Sequence, residues 1–375
     1  MNVFDNNVTI VAPLPSISKR VRLFKITKFL YHIGVKNFNH IAWERITGES
    51  EEKDLDFKIS KKIILKGGGY GGRKVRLMYL LWMIKVFFKG FSIQKNEIVW
   101  ALGFESAFPL LLSSKIKGFN IYFDDADRFS MIYNLPIPFS TILIFFEKVT
   151  SRNVYRHIIP VKERYNFESP NFFLLSNTPS MIELNLANNI YEQEKWIKGR
   201  VVININGWLG HGRGMSTAFK LHNELKNEKV AFILAGKLDC NEAENLAKQE
   251  NVQYLGKVTN AKALASYLAS DFVFTYYDPK MPINKYAASN KWGDAIFTKT
   301  GIIVNKEVET AKHLMSNGVA ISFTYDDYKG LAGCIKEMCN DSSHMNEMKN
   351  KINTLSEIMP NFEDQLKMLF SYEAK

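Results

Sequence analysis

Arg213 closes a glycine-laced turn, Asn206-Gly207-Trp208-Leu209-Gly210-His211-Gly212-Arg213-Gly214, that follows an apolar run over residues 201–205. A helical pattern starts at Met215. Strand, glycine turn and helix start together aim backbone N–H groups and the positive end of a helix at an anion. A guanidinium at that point can clamp a phosphate with paired hydrogen bonds. Further on, Tyr286-Ala287-Ala288-Ser289-Asn290-Lys291 forms a second polar loop running into a helix, with Asp294 one turn after Lys291 on the same face. Singly these are ordinary features. Glycine turns after strands are common in α/β proteins, and a lone Lys291–Asp294 pair is worth a few tenths of a kcal/mol. Their order on one α/β half predicts a diphosphate site.

The elements that must position these residues alternate along the chain. Short apolar runs rich in Ile, Val and Phe predict strands over 7–12, 61–65, 97–102, 120–123, 156–160 and 172–175. The second half repeats the logic with strands over 201–205, 230–235, 252–255, 272–276, 302–304 and 319–322. Helices are expected at 215–225 and 261–269, and a long helical tail at 344–372. Alternation in both halves predicts two facing doubly wound Rossmann-like sheets. The expected domains are an acceptor and membrane-side domain over 1–180 and a donor domain over 181–350. A C-terminal helix over 351–375 returns to the first domain.

Residues 200–304 resemble the C-terminal domain of the group 1, family 4-like, retaining nucleotide-sugar glycosyltransferases of the GT-B fold, which serve bacterial surface-polysaccharide assembly. The resemblance rests on Arg213-Gly214, on Tyr254-Leu255-Gly256-Lys257-Val258, and on Asn290-Lys291 with Asp294-Ala295. It implies that Arg213 and Lys291 bind the donor diphosphate, with Gly207 and Gly214 shaping the turn. Asp294 takes the place of the family's second glutamate, which holds the donor ribose. Backbone at Gly256 and Val258 contacts the base, and Tyr286, Ser289 and Asn290 complete the donor side. The family's first acid, eight residues before Asp294, is Tyr286 here. The implied function is transfer of one sugar from a UDP- or GDP-linked donor to a lipid-linked oligosaccharide or similar glycan, in O-antigen or capsule synthesis. No cofactor is expected, the nucleotide-sugar being a co-substrate.

Ligands of open α/β sheets sit at the carboxyl ends of strands. In the first half this selects Glu105, just after the strand over 97–102, and Asp124, Asp125 and Asp127 after the strand over 120–123. Three carboxylates in four residues invite a metal reading. Arg213 and Lys291 neutralise a leaving diphosphate without an ion, so no metal is expected. Asp127 is placed near the reacting centre, because a residue of this loop in the resembled family contacts the donor sugar or the attacking hydroxyl. Glu105 and Asp124 are acceptor-side candidates. An inverting route needs a base, either Asp127 or Glu105. Gly67 to Gly72 lacks the Gly-Lys-Ser/Thr ending of a P-loop and reads as a loop near the site.

The net charge of +11 is one-sided. Residues 1–180 hold 26 Lys and Arg against 15 Asp and Glu, whereas 181–375 hold 23 of each. Such a field implies a polyanionic partner, and an anionic membrane surface fits two basic, apolar segments. One is residues 73–89, with Arg73, Lys74, Arg76 and Trp82. The other is residues 18–35, with Ile26, Phe29, Leu30 and Ile33 at helical spacing beside Arg22, Lys25 and Lys28. The competing reading makes both core helices with their lysines in water. The longest apolar run, residues 77–84, is too short to span a bilayer. No nucleic-acid motif accompanies the charge, so no nucleic-acid partner is expected. Cys240, Cys334 and Cys339 lack metal or disulfide spacing and fit a reducing cytoplasm. No cleavable signal is expected from the polar start. The expected location is the inner face of the plasma membrane. A non-hydrolysing nucleotide-sugar epimerase of the same architecture, or an inactive sugar-nucleotide-binding partner subunit, are the rival readings. A Rossmann oxidoreductase is disfavoured, since no GxGxxG with an acid some twenty residues on occurs in the first half.

Overall fold

The computed structural model describes residues 7–49, 55, 57–71, 73–133 and 135–371, with only the backbone at 73 and 74. The expectations placed on Gly72 and on the side chains of Arg73 and Lys74 fall outside the described residues. The chain divides into two compact units. One runs to Ser176 and takes back the segment from Asp364; the other is Asn177–Glu363.

The first unit contains β1 (Asn7–Ala12), α1 (Val21–His32), β2 (Asn37–Glu44), β3 (Ile59–Lys66), α2 (Arg73–Gly90), β4 (Ile98–Leu102) and α3 (Phe104–Lys117). It continues through β5 (Asn120–Asp124), α4 (Phe129–Ile132), α5 (Phe139–Asn153), β6 (Arg156–Ile159) and β7 (Phe172–Leu174). Its parallel sheet has the order β3-β2-β1-β4-β5-β6-β7. Strands such as β1 and β4 are buried on both faces, as covered parallel sheets require. β2 has no counterpart among the predicted strands. Its sequence, Asn-Phe-Asn-His-Ile-Ala-Trp-Glu, carries too many polar residues to read as an apolar run, yet it pairs with β1 from Asn37 to Ala42.

The second unit contains α6 (Met181–Gln193), β8 (Val201–Leu209), α7 (Met215–Leu225), β9 (Val230–Leu238), α8 (Asn241–Leu246), β10 (Val252–Tyr254) and α9 (Asn260–Leu268). Then come β11 (Phe272–Thr275), α10 (Pro282–Lys285), α11 (Asn290–Phe297), β12 (Gly301–Asn305), α12 (Lys312–Ser316), β13 (Ala320–Phe323), α13 (Tyr328–Asn340) and α14 (Ser343–Ile358). The sheet order is β10-β9-β8-β11-β12-β13, again parallel. α6 starts on a capping box between Ser180 and Glu183 and packs Ala187 on Leu264 and Ala265 of α9.

The tail is two helices, not one. Pro360 cannot continue α14, and α15 (Phe362–Ser371) follows. Met348 and Ile352 of α14 join the core of the second unit. The return to the first unit is made by α15. Its Phe370 ring lies 6.1 Å from Phe29 and 5.9 Å from Tyr122, and Gln365 accepts from the Ser176 N–H at 2.7 Å.

The two membrane segments separate here. Ile26, Phe29 and Leu30 of α1 are buried, so that helix is a core helix. α2 buries Val75, Trp82 and Val86 but exposes Leu77, Leu80, Ile84 and Phe88. Trp82 is fully buried; its indole donates to Ser106 and its ring lies over Trp43, so it does not reach an interface. No described helix is long and apolar enough to cross a membrane.

Candidate functional site

In the second unit the sheet order reverses direction between β8 and β11, and a cavity opens at their carboxyl ends. Asn206, Trp208, Leu209, Arg213, Thr275, Tyr276, Tyr277 and Lys291 line it. The glycine turn is built differently from a simple loop. β8 runs on through Gly207 to Leu209, paired with β9, and a single 3-10 turn over His211–Arg213 precedes α7. Gly214 caps α7 with φ +70°, and a Cβ there would lie 2.5 Å from the Tyr276 Cβ. Gly236, at φ +135°, has no space at all: its Cβ would sit 1.8 Å from the Gly207 carbonyl oxygen. The turn is held from the side. Asp278 N–H donates to the Gly212 carbonyl at 3.2 Å, and the Tyr325 hydroxyl to the His211 carbonyl at 3.1 Å.

Arg213 lays its guanidinium 4.6 Å from the Tyr277 ring centroid, a cation–π contact that fixes it over the cavity. Lys291 enters from α11, with its Nζ 3.5 Å from where a Gly207 Cβ would stand. The structure therefore brings Arg213, Lys291 and Gly207 together. α11 is aligned by Ser289, whose hydroxyl accepts from the Lys291 N–H at 3.3 Å, and by the Trp292 indole, which donates to Thr275 at 3.0 Å. Gly293 meets the 177–178 backbone so closely that a Cβ would lie 2.2 Å from the Asn177 carbonyl oxygen.

Asp294 is half-buried and outside the cavity lining. The buried Tyr267 phenol is pushed well above its usual value, first by burial and then by the Asp294 charge. Gly256 turns at φ +71° after β10, with its carbonyl accepting from Gly236 at 2.7 Å, and Val258 follows half-buried. Tyr286 is half-buried and Asn290 exposed. His211 sets Nδ1 3.7 Å from Glu242, and with Cys240 these offer one donor atom each within 4.8 Å.

The first unit has its own pocket, of about 110 Å³, at the carboxyl ends of β1, β4 and β5. Arg20, Arg45, Tyr79, Gly103, Glu105, Asp127 and Tyr133 are among its walls. Glu105 lies in the first turn of α3, against Gly103 at φ +78°. Its carboxyl is pushed up to about 7, chiefly by burial and further by Asp125, against its own backbone N–H, Arg45 and Arg20. Asp127 is 40% exposed, 3.5 Å from Arg20 and 3.6 Å from Arg164.

Asp124 does not reach this pocket. It is fully buried, with Arg22 Nε at 2.9 Å and the Trp100 indole at 3.3 Å, and it stands as the inner half of an ion pair. Asp124 thus serves a buried ion pair, and α4, which follows Arg128, has no side-chain cap from this acidic run. Asp125 accepts from Tyr165 at 2.7 Å and lies 3.6 Å from His157, whose Nδ1 is 2.7 Å from Ser151. This Ser–His–Asp line is sealed in the core, with His157 held below its usual value chiefly by burial. Sequence reading missed Arg45, because it follows the unrecognised β2. It also missed Tyr277, Trp208 and Tyr133. Only the rule that ligands gather at strand ends could have flagged them.

No family model and no curated protein matches the sequence. Solved structures do. Sucrose-phosphate synthase from Thermosynechococcus elongatus aligns with a TM-score of 0.71 at 12% identity, over 98% of this chain and 98% of that one. An E. coli trehalose-6-phosphate structure bound with UDP-2-fluoro glucose gives 0.67 at 10% identity, over 97% and 98%. WaaG, a glycosyltransferase involved in lipopolysaccharide biosynthesis, gives 0.63 at 10% identity, over 97% and 99%. At these identities the likeness speaks for architecture, and with two parallel sheets of reversing order the chain has the GT-B fold, two Rossmann-like domains in one polypeptide.

Proposed function

We propose that the chain is a glycosyltransferase that moves one sugar, a hexosyl or related group, from a nucleotide-sugar to a lipid-linked or similar glycan acceptor. The carrying observation is that Arg213 and Lys291, from separate elements, share one cavity at the β8–β11 switch point. Breaking a sugar–phosphate bond leaves a diphosphate anion beside an oxocarbenium-like sugar. Two fixed cations stabilise that anion as its charge develops, so catalysis needs no metal. Asp294, Ser289, Asn290, Tyr286, Gly256 and Val258 serve the nucleotide. The UDP-2-fluoro glucose bound by the E. coli neighbour supports a UDP-linked donor. In the first unit, Glu105 is the carboxyl that exchanges a proton near neutral pH, which suits a base in an inverting route, while Asp127 meets the reacting hydroxyl.

The same reading places the chain on an anionic membrane, in O-antigen or capsule synthesis. WaaG, by its name, works in lipopolysaccharide biosynthesis. α2 packs beside α3 and α3 beside α5. Together they expose Leu77, Leu80, Ile84 and Phe88, Leu112 and Ile116, and Phe139, Ile142 and Phe145, each at least 47%. A basic field plus an apolar face gives the two signals that reversible bilayer binding needs.

Incubation with a panel of nucleotide-sugars, with and without lipid-linked acceptor, tests the activity. Acceptor-stimulated nucleotide release that survives EDTA is expected. Failure to bind or turn over any member of the panel would refute the reading. Binding to anionic vesicles should fall with salt, while Leu77→Ser with Ile84→Ser and Phe145→Ser should weaken it at every salt concentration. Unaltered binding by that triple variant would remove the membrane from the account.

A further inference from the structure

Among the described residues of the first unit four arginines are buried, and three have a carboxylate: Arg22 has Asp124 at 2.9 Å, Arg128 has Glu147 at 2.9 Å, and Arg164 has Asp127 at 3.6 Å. Arg45 is 6% exposed and has none within ion-pairing distance among the described residues. Its Nε donates to the Pro13 carbonyl at 3.1 Å and its Nη2 to the Tyr79 hydroxyl at 2.7 Å. The rings of Trp43, Tyr79 and Tyr70 surround it at 4.1, 4.9 and 5.4 Å. Nη1 makes no hydrogen bond to the described residues, and the side chain lines the pocket.

A buried guanidinium without a counter-ion is costly, because its lost hydration is not repaid by an opposite charge. Three aromatic faces return part of that. The rest points to a negative group arriving from outside. A second guanidinium, Arg20, lines the same pocket and is half exposed. Two cations converging from different loops suit a doubly charged group better than a single carboxylate. The pocket's own acids compete weakly: Asp127 is shared between Arg20 and Arg164, and Glu105 is near its midpoint at neutral pH.

We propose that this pocket binds a phosphate-type oxyanion through Arg45 and Arg20. On the glycosyl-transfer reading, on which this step rests, the acceptor is therefore phosphorylated. The phosphoryl group sits on a soluble sugar phosphate or in the pyrophosphate of a lipid carrier, and both present the same chemistry to the arginines.

The test is calorimetry on the full chain saturated with UDP, so that added anions meet only the remaining site. Glucose 6-phosphate and geranyl pyrophosphate are titrated beside glucose and geraniol. One phosphorylated probe should bind at least about tenfold more tightly than its neutral counterpart, and which one does identifies the source. Arg45→Met and Arg20→Gln should each weaken that binding by about tenfold or more, with UDP affinity in the unsaturated protein unchanged. Arg20 is exposed, so its variant reads the site even where Arg45→Met fails to fold. Glu105 faces Arg45, Arg20, Asp127, Tyr79 and Tyr133 across the pocket, with Asp125 behind. Its ionisation adds repulsion, so the affinity of the parent relative to Glu105→Gln should fall between pH 6 and 8. Absence of binding by both phosphorylated probes, or equal binding by parent and Arg20→Gln, would overturn the proposal. Phosphate binding without sugar transfer from any donor would leave this site standing and remove the glycosyltransferase reading. Transfer to phosphorylated acceptors at an unchanged rate in Arg20→Gln would remove this inference alone.

Discussion

The two sheets share a strand order and a reversal point, yet their strand ends carry opposite designs. At β8–β11 the backbone itself makes the site. Gly214 and Gly236 sit where a Cβ would meet Tyr276 or the Gly207 carbonyl, Gly207 lies beside Lys291, and the cations Arg213 and Lys291 remain partly solvated. At β1–β4 large side chains make the site. Arg45, over Trp43, and Glu105 are sunk beside Tyr79 and Tyr133, where burial moves a carboxyl to about 7 and the guanidinium has no carboxylate among the described residues. The same topology supports the proposed anion cradle in one case and a desolvated, titratable pocket in the other. Topology chooses where a ligand sits; local residue size and burial choose what chemistry is available there.

The largest effect should come from the cations of the second unit. Arg213→Ala or Lys291→Ala is expected to cut turnover by about 10²–10³, with folding intact by circular dichroism. Normal turnover in both would break the cradle side of the comparison. Arg213→Lys separates charge from geometry: loss in this variant too assigns the work to the bidentate fork.

Next in size is the backbone. Gly236→Ala forces a Cβ into the Gly207 carbonyl and should lower stability by roughly 2–4 kcal/mol in urea melts. In the first unit, Gly103→Ala meets only the movable Glu105 carboxylate at a strained φ and should cost less, about 1 kcal/mol. Equal losses would show that both sites depend on backbone approach.

Asp294→Ala should weaken free nucleotide and nucleotide-sugar alike by about tenfold, because the ribose is common to both. Unchanged nucleotide affinity by calorimetry would return Asp294 to a structural role beside Tyr267.

The smallest effect is a pH slope. Glu105 has a raised folded-state value of about 7, so the folded chain holds its proton longer than the unfolded chain does. Stability is therefore lost as pH rises from the ordinary carboxyl range to about 7. Glu105→Gln should remove that loss, gaining on the order of 2 kcal/mol at pH 8 and nothing at pH 4. A gain independent of pH would mean that Glu105 is not desolvated.

The alternation of apolar runs with helical segments, the glycine turn and the two cations after it could all be read from the sequence, because each is local. Parallel strands buried on both faces announce themselves as Ile and Val runs, and a glycine at a tight turn has no substitute. β2 could not be read that way: its polar residues are tolerated by what β1 and β3 place around them. The same limit applied to Asp124, which looks like a strand-end ligand and is consumed by Arg22 from α1, far away in sequence. Trp82 and Leu77 share one apolar segment, and only packing decided that the indole is core and the leucine surface. Arg45 carries no local signal at all. Its lack of a carboxylate among the described residues, like the raised value of Glu105, is a property of which side chains the fold gathers and how completely it excludes water. Short-range chemistry is written residue by residue, whereas burial and pairing are sums over the whole tertiary structure.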